Sequence, residues 1–235
     1  MTEIQKQSFR VLSGNTLKII ALITMTIDHI GVQIFTENIL LRIIGRISFP
    51  IFAFMIAEGC RYTKNRTKYL LRISVLAAIC QLAYLFAMSS LYQCILVTFA
   101  LSVCLIFIYD FAARKKSVVW GFAFAFALLA VYLVCEVLPR ILINTDFYVD
   151  YGFYGATLPL LIYIGKDKYQ KLILCAVGLV LLSMSTGGIQ WYCMLALLPL
   201  ILYSGERGRA RIKNLFYIYY PVHLLLIYLV SFIIF

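Results

Sequence analysis

The chain has 235 residues, 63% of them hydrophobic, and a formal net charge of +11. That apolar content, with a mean hydropathy of +0.94, excludes an ordinary soluble domain, in which about half the residues are apolar. The basic surplus does not point to nucleic acid, because Lys and Arg fall in the gaps between apolar blocks and not along one amphipathic face. In those gaps they set orientation and meet anionic lipid headgroups.

The apolar blocks lack the alternation of barrel strands, so the predicted fold is all-α, a polytopic transmembrane helical bundle forming one domain over residues 1–235. Hydropathy predicts about nine spans, at 17–35, 43–60, 73–90, 95–112, 118–138, 151–165, 171–186, 188–203 and 215–235. Gln, Lys and Arg precede the first block and no small-residue cleavage site follows it, so that span is expected to stay in place. Gly187 and Gly188 suit a tight turn between the seventh and eighth spans. With the N-terminus inside, all of the 21 Lys and Arg residues except Arg42, Arg46 and Arg140 fall on the inner side. The inner clusters are Lys6, Arg10 and Lys18; Arg61 to Arg72; Arg114 to Lys116; Lys166 to Lys171; and Arg207 to Lys213. The seven cysteines are scattered, without CxxC spacing, and read as packing residues, not a disulfide framework or a metal site.

The first span carries "TMTIDHIGVQIF", with Asp28 and His29 past its midpoint. An Asp at such depth costs about 2.5–3.5 kcal/mol to insert, so it implies a partner or a function. Neighbours on a helix point about 100° apart, so Asp28 and His29 face different targets. Thr24, Asp28 and Gly31 share one stripe; Thr26, His29 and Gln33 share the next. Either Asp28 pairs with Arg46 to hold two helices together, or the wedge lines a functional cavity. In a bilayer the second reading is favoured.

In "LRIIGRISFPIFAFMIAEG", Arg42 and Arg46 lie four apart on one face, and Pro50 is expected to open or kink the span. Two guanidiniums suit a phosphate, a carboxylate or a developing oxyanion; for Arg42, snorkelling to the interface is an equal alternative. Glu58 and Asp110, at inner span ends, read as partners of basic loop residues. Asp150, in the loop "NTDFYVDYGFYG", either faces the arginines or is solvated. In the last span, "NLFYIYYPVHLLLIYL", Tyr219 and His223 lie one turn apart around Pro221, with packing and function evenly matched for His223.

The segments "LKIIALITMTIDHIG" and "LRIIGRISFPIFAFMIAEG", followed in order by "YLLRISVLAAICQLAYLF", "DYGFYG", "LYSGERG" and "FYIYYPVHLLLIYL", resemble the TraX family over nearly the whole chain. The fourth span opens with "YQCILVTFAL", where family members often carry an Asn-Val start. The resemblance implies a multi-pass protein of the bacterial plasma membrane, similar to an acetylase of the pilin N-terminus. It also implies a distant relation to polytopic acyltransferases of cell-surface sugars, in which a His near the first span is catalytic; His29, preceded by Asp28, matches it. The expected donor is acetyl-CoA or another acyl-CoA, with no permanently bound cofactor. The expected acceptor is a peptide N-terminus or a surface glycan, with membrane lipid as surroundings.

The residues fit that chemistry. Imidazole, with an unperturbed pKa near 6.5, suits a general base near neutral pH. Arg46 is the candidate for the carbonyl oxygen as it gains charge, with Asp28 either tuning the site electrostatically or orienting Arg46. Arg42, Asp150, Tyr219 and His223 are candidates to bind substrate or donor. A transporter or channel remains the rival, because intramembrane Asp, His and Arg also mark ion paths. A non-catalytic assembly factor is the third class, and it needs no His29.

Overall fold

The computed structural model describes residues 11–208 and 213–234, with backbone only at Ala87 and 213–217. Lys6, Arg10, Arg209 and Arg211, and the side chain of Lys213, used above for orientation, lie outside what is described. Among the described residues the chain is helical, with two isolated bridges and no strand.

The chain forms two compact units, residues 1–55 with 186–235, and residues 56–185. The first holds α1 (Gly14–Gln33), α2 (Ile39–Gly45), the start of α3 (Ser48–Tyr62), a 3-10 segment (Gly188–Ala196), α10 (Leu197–Ile201) and α11 (Lys213–Ile234). The second holds the rest of α3, α4 (Arg66–Met88), α5 (Ile95–Lys115), α6 (Val118–Tyr132), a π turn (Leu133–Val137), α7 (Leu138–Ile141), α8 (Gly152–Ile164) and α9 (Lys168–Thr186).

In the first unit, Ser13 caps α1 by accepting the Thr16 N–H at 3.2 Å. Two further orphan donors of that helix end, the Gly14 and Asn15 N–H groups, reach the carbonyls of Glu206 (2.7 Å) and Arg207 (3.0 Å). The start of α1 therefore meets the Glu206–Gly208 turn directly. Along α1 and α11, Thr26 meets Tyr219, His29 meets His223, and the Gln33 carbonyl accepts the Ser231 hydroxyl. Residue numbers rise together on both helices, so α1 and α11 run parallel.

In the second unit the basic segments gather at one end. Lys171 Nζ meets Glu58 Oε1 at 2.5 Å in a pair with little exposure. Arg61 donates to the carbonyls of Tyr163 and Gly165 where α8 ends, and Asp110 pairs with Arg66 and Arg114. At the other end, Gln93 and Asp150 exchange backbone bonds with Tyr148 and Gln93 (2.8 and 3.0 Å). The acids Glu58 and Asp110 thus take basic partners, as expected.

Five helical stretches are long and apolar enough to cross a membrane: Ile39–Tyr62, Arg66–Phe86, Ile95–Lys115, Val118–Ile141 and Lys168–Thr186. Only 11% of the Val118–Ile141 window is buried, and Phe122 and Phe126 are each 72% exposed, a surface suited to lipid. The expected nine full spans and inside N-terminus do not follow from the structure. α8 has 13 residues, about 20 Å at 1.5 Å per residue against a core of about 30 Å. The expected eighth span is a 3-10 segment of nine residues joined to a five-residue helix. α1 has the length, 20 residues, but its polar side chains dilute its apolar content. The third expected span, α4, starts at Arg66, not at 73, because Asn65 caps it by accepting the Lys68 N–H at 2.8 Å.

Pro50 does not kink a helix from within. It sits in the first turn of α3, where its missing N–H has no helical partner to lose. The break falls at Arg46–Ile47, and Arg46 is the residue whose carbonyl a continuous helix would have bonded to position 50. Gly187 and Gly188 have φ of 73° and 54°, the left-handed region that favours glycine, and they form the expected turn.

Candidate functional site

Asp28 and His29 lie about 21 and 22 Å along α1 from Gly14, at 1.5 Å per residue. They diverge as the helix geometry requires: Asp28 points to α2 and His29 to α11.

The Asp28 carboxylate gathers both arginines. Arg42 Nη1 donates to Oδ2 at 2.7 Å, and Arg46 Nη2 to Oδ1 and Oδ2 at 3.0 and 3.2 Å. Arg42 and Arg46 reach one carboxylate because they are one turn apart, the second at the C-terminal cap of α2. Arg46 Nη1 also donates to Gln190 Oε1 at 3.2 Å. Gln190 is 2% exposed and comes from the 3-10 segment, so three stretches of chain converge on one guanidinium. Two guanidiniums share one carboxylate.

The second half of the site is the histidine pair. His29 Nδ1 and His223 Nε2 are 3.2 Å apart, with ring centroids at 5.1 Å and planes tilted by 55°. His223 Nδ1 bonds the Tyr219 carbonyl at 2.8 Å, and the His223 ring stacks on the Tyr219 ring. The Tyr219 hydroxyl bonds Thr26 Oγ1 at 2.6 Å.

The structure therefore brings together Asp28, Arg42 and Arg46, and separately His29, His223 and Tyr219, all within the first compact unit. Asp150 belongs to the second unit, where its carbonyl accepts the Thr98 hydroxyl at 2.7 Å and its carboxylate bonds the Tyr92 hydroxyl. Burial, then the charge of Asp150, pushes the Tyr92 phenol up. These contacts place Asp150 among loop residues. Arg42 is tied to Asp28, which is not the picture of a side chain snorkelling to the interface.

Two residues escape the sequence reading. Gln190 carries a weak signal, one amide in "GGIQWYCMLA". Glu136 carries a strong one: an acid within "AVYLVCEVLP" meets the same cost that marks Asp28. Its Oε1 accepts the Phe153 N–H at 3.0 Å, in the first turn of α8, from a π turn that displaces the helix register. A Cβ at Gly152 would lie 2.7 Å from that oxygen, so the arrangement needs glycine there.

Residues 13–231 match the TraX protein family. A "Probable fimbrial assembly protein FimC, serogroup H1" of Dichelobacter nodosus is 29% identical over 246 residues, covering 92% of this chain and 94% of the relative. An uncharacterized protein of Rickettsia prowazekii (strain Madrid E) is 32% identical over 160 residues, covering 68% of this chain and 58% of that protein. No solved structure matches.

Proposed function

The chain belongs to the TraX family, and from that premise we propose that it is a membrane-embedded acetyl- or acyltransferase with His29 as its general base. The observation that carries the reading is an imidazole held by a second histidine, on the same helix as a carboxylate that gathers two guanidiniums. His29 takes the proton of an amine or hydroxyl as that nucleophile attacks the thioester carbonyl. The guanidiniums of Arg46 and Arg42, ordered by Asp28, stabilise the oxygen as it becomes an oxyanion. Collapse expels the thiolate of the donor, and His29 returns the proton to it. The donor is acetyl-CoA or another acyl-CoA, used as a substrate with no resident cofactor. The whole chain acts as one domain, with Tyr219 shaping the wall beside the histidines.

The protein resides in the bacterial plasma membrane with the start of α1 in the cytoplasm. The concentration of Lys and Arg in alternate gaps between the apolar blocks of the sequence supports that sidedness. Parallel α1 and α11 require an odd number of crossings, nine if the shorter apolar stretches also span. The site then lies toward the outer half, and the donor's acyl arm reaches it from the cytoplasmic side. The relative named as a fimbrial assembly protein supports a connection with surface filaments; the acceptor in this reading is the N-terminus of a filament subunit, with a surface glycan as the other class. That same name favours a second reading, a non-catalytic assembly factor.

The test is reconstitution with labelled acetyl-CoA and a filament-subunit peptide or a surface glycan. His29-dependent transfer of label supports the transferase. Ion flux without thioester cleavage supports a transporter, and filament assembly that tolerates His29→Ala supports the assembly factor.

A further inference from the structure

We propose that His223 is the positioning residue of the His29 base, holding it with Nδ1 protonated and Nε2 bare; this rests on the reading of His29 as the base. The chain of donors and acceptors fixes the protons. The Tyr219 carbonyl can only accept, so His223 Nδ1, 2.8 Å away, carries a hydrogen. A neutral imidazole has one N–H, so His223 Nε2 is an acceptor. His29 Nδ1, 3.2 Å from it, is then the donor. With both rings neutral, the lone pair left for chemistry is on His29 Nε2. The Met25 carbonyl, one turn before His29 on α1, is a further acceptor beside the ring.

His223 is built to hold this role. It is 4% exposed. Its ring lies 5.1 Å from the Tyr219 ring, at an interplanar angle of 11°, and meets Tyr220 edge-on at 5.6 Å. The Tyr219 hydroxyl is anchored to Thr26 on α1 at 2.6 Å, and Thr26 is itself bonded to the Leu22 carbonyl at 2.9 Å. The His223 ring is thus referenced to α1 at two levels, one at Thr26 and one at His29.

During transfer the substrate proton arrives at His29 Nε2. The Nδ1 proton can then pass to His223 Nε2, which leaves His29 neutral and His223 as the cation. When the thiolate departs, His29 Nε2 gives up its proton and Nδ1 takes its own back from His223. No proton is gained or lost over the cycle. A residue that merely staples α11 to α1 would need none of this.

The sequence contains two histidines, so the full chain in lipid nanodiscs, labelled with 15N-histidine, yields four ring nitrogens. Both rings are expected with protonated Nδ1 and bare Nε2. In His223→Phe, which keeps a ring against Tyr219 but no acceptor, the His29 Nδ1 resonance should move as that N–H falls back on Met25. In His223→Gln, which restores an acceptor oxygen, it should move back toward the wild-type position. Protonated His29 Nε2 in the wild type, or His29 resonances indifferent to His223→Phe, overturns the proposal. These readouts need no acyl donor, so they stand apart from any failure of the transfer reaction. With acyl transfer measured, His223→Phe should lower turnover about 10–10²-fold, the range seen when an orienting partner of a functional histidine is removed, and His223→Gln should recover most of it. Full turnover in His223→Phe would also overturn the role.

Discussion

Gly45 on α2 faces Asp28 on α1 so closely that a Cβ there would lie 2.1 Å from Asp28 Oδ1 and 2.3 Å from Asp28 Cβ. The glycine is what lets the carboxylate lie against α2 and meet Arg42 and Arg46 together. Gly45→Ala should therefore push α2 from α1, lengthen both ion pairs and lower stability by about 1–3 kcal/mol, the usual cost of overpacking. Thermal unfolding in detergent measures it; an unchanged melting temperature would show that the two helices are not held at this distance.

Removing the acid and removing one base have unequal costs. Asp28→Ala removes the carboxylate that both guanidiniums share, whereas Arg42→Ala leaves Asp28 paired with Arg46. Asp28→Ala should destabilise by about 3–5 kcal/mol, the range for an uncompensated buried charge, and Arg42→Ala by clearly less. Equal losses in paired unfolding measurements would mean that the cluster does not share its charge.

A separate pair, Lys171 with Glu58 in the second unit, offers a control that has no part in the proposed chemistry. Lys171→Met removes the cation beside a carboxylate whose side chain is 8% exposed, and stability should fall, by up to about 3–5 kcal/mol. Adding Glu58→Gln should restore part of that stability. A double variant no better than the single one would argue against direct coupling.

The parallel course of α1 and α11 makes a topological prediction. The C-terminal end of α11 should lie on the face opposite the start of α1. A periplasm-active reporter fused beyond residue 235 should be active, and one placed ahead of residue 11 inactive. Activity of both, or of neither, would contradict parallel crossings.

The sequence exposes the helical class and the presence of Asp28 and His29 on one apolar helix, because charge and hydropathy act locally. Divergence of those two side chains follows from 3.6 residues per turn and is also legible. The split of the second expected span at Arg46–Ile47 is harder to place: Pro50 signals a break, but its position depends on which carbonyl loses its partner. The pairing of His29 with His223 is not legible, since 194 residues separate them and neither helix marks its neighbour. Gln190 is hidden for the same reason. Glu136 was visible in the chain and lies at a helix cap, where its backbone partner, not its composition, decides its role. The shortened spans reflect tertiary context: a 3-10 segment and short helices are as apolar as full spans, so hydropathy alone counts them alike.

The most direct test of His29 as the base of an acyltransferase needs no acceptor. Purified protein in liposomes with acetyl-CoA should release free thiol slowly as water substitutes for the nucleophile, and His29→Ala should lower that rate about 10²–10⁴-fold while insertion and melting temperature stay close to wild type. Thiol release that is equal in wild type and His29→Ala, or absent from both, would contradict it.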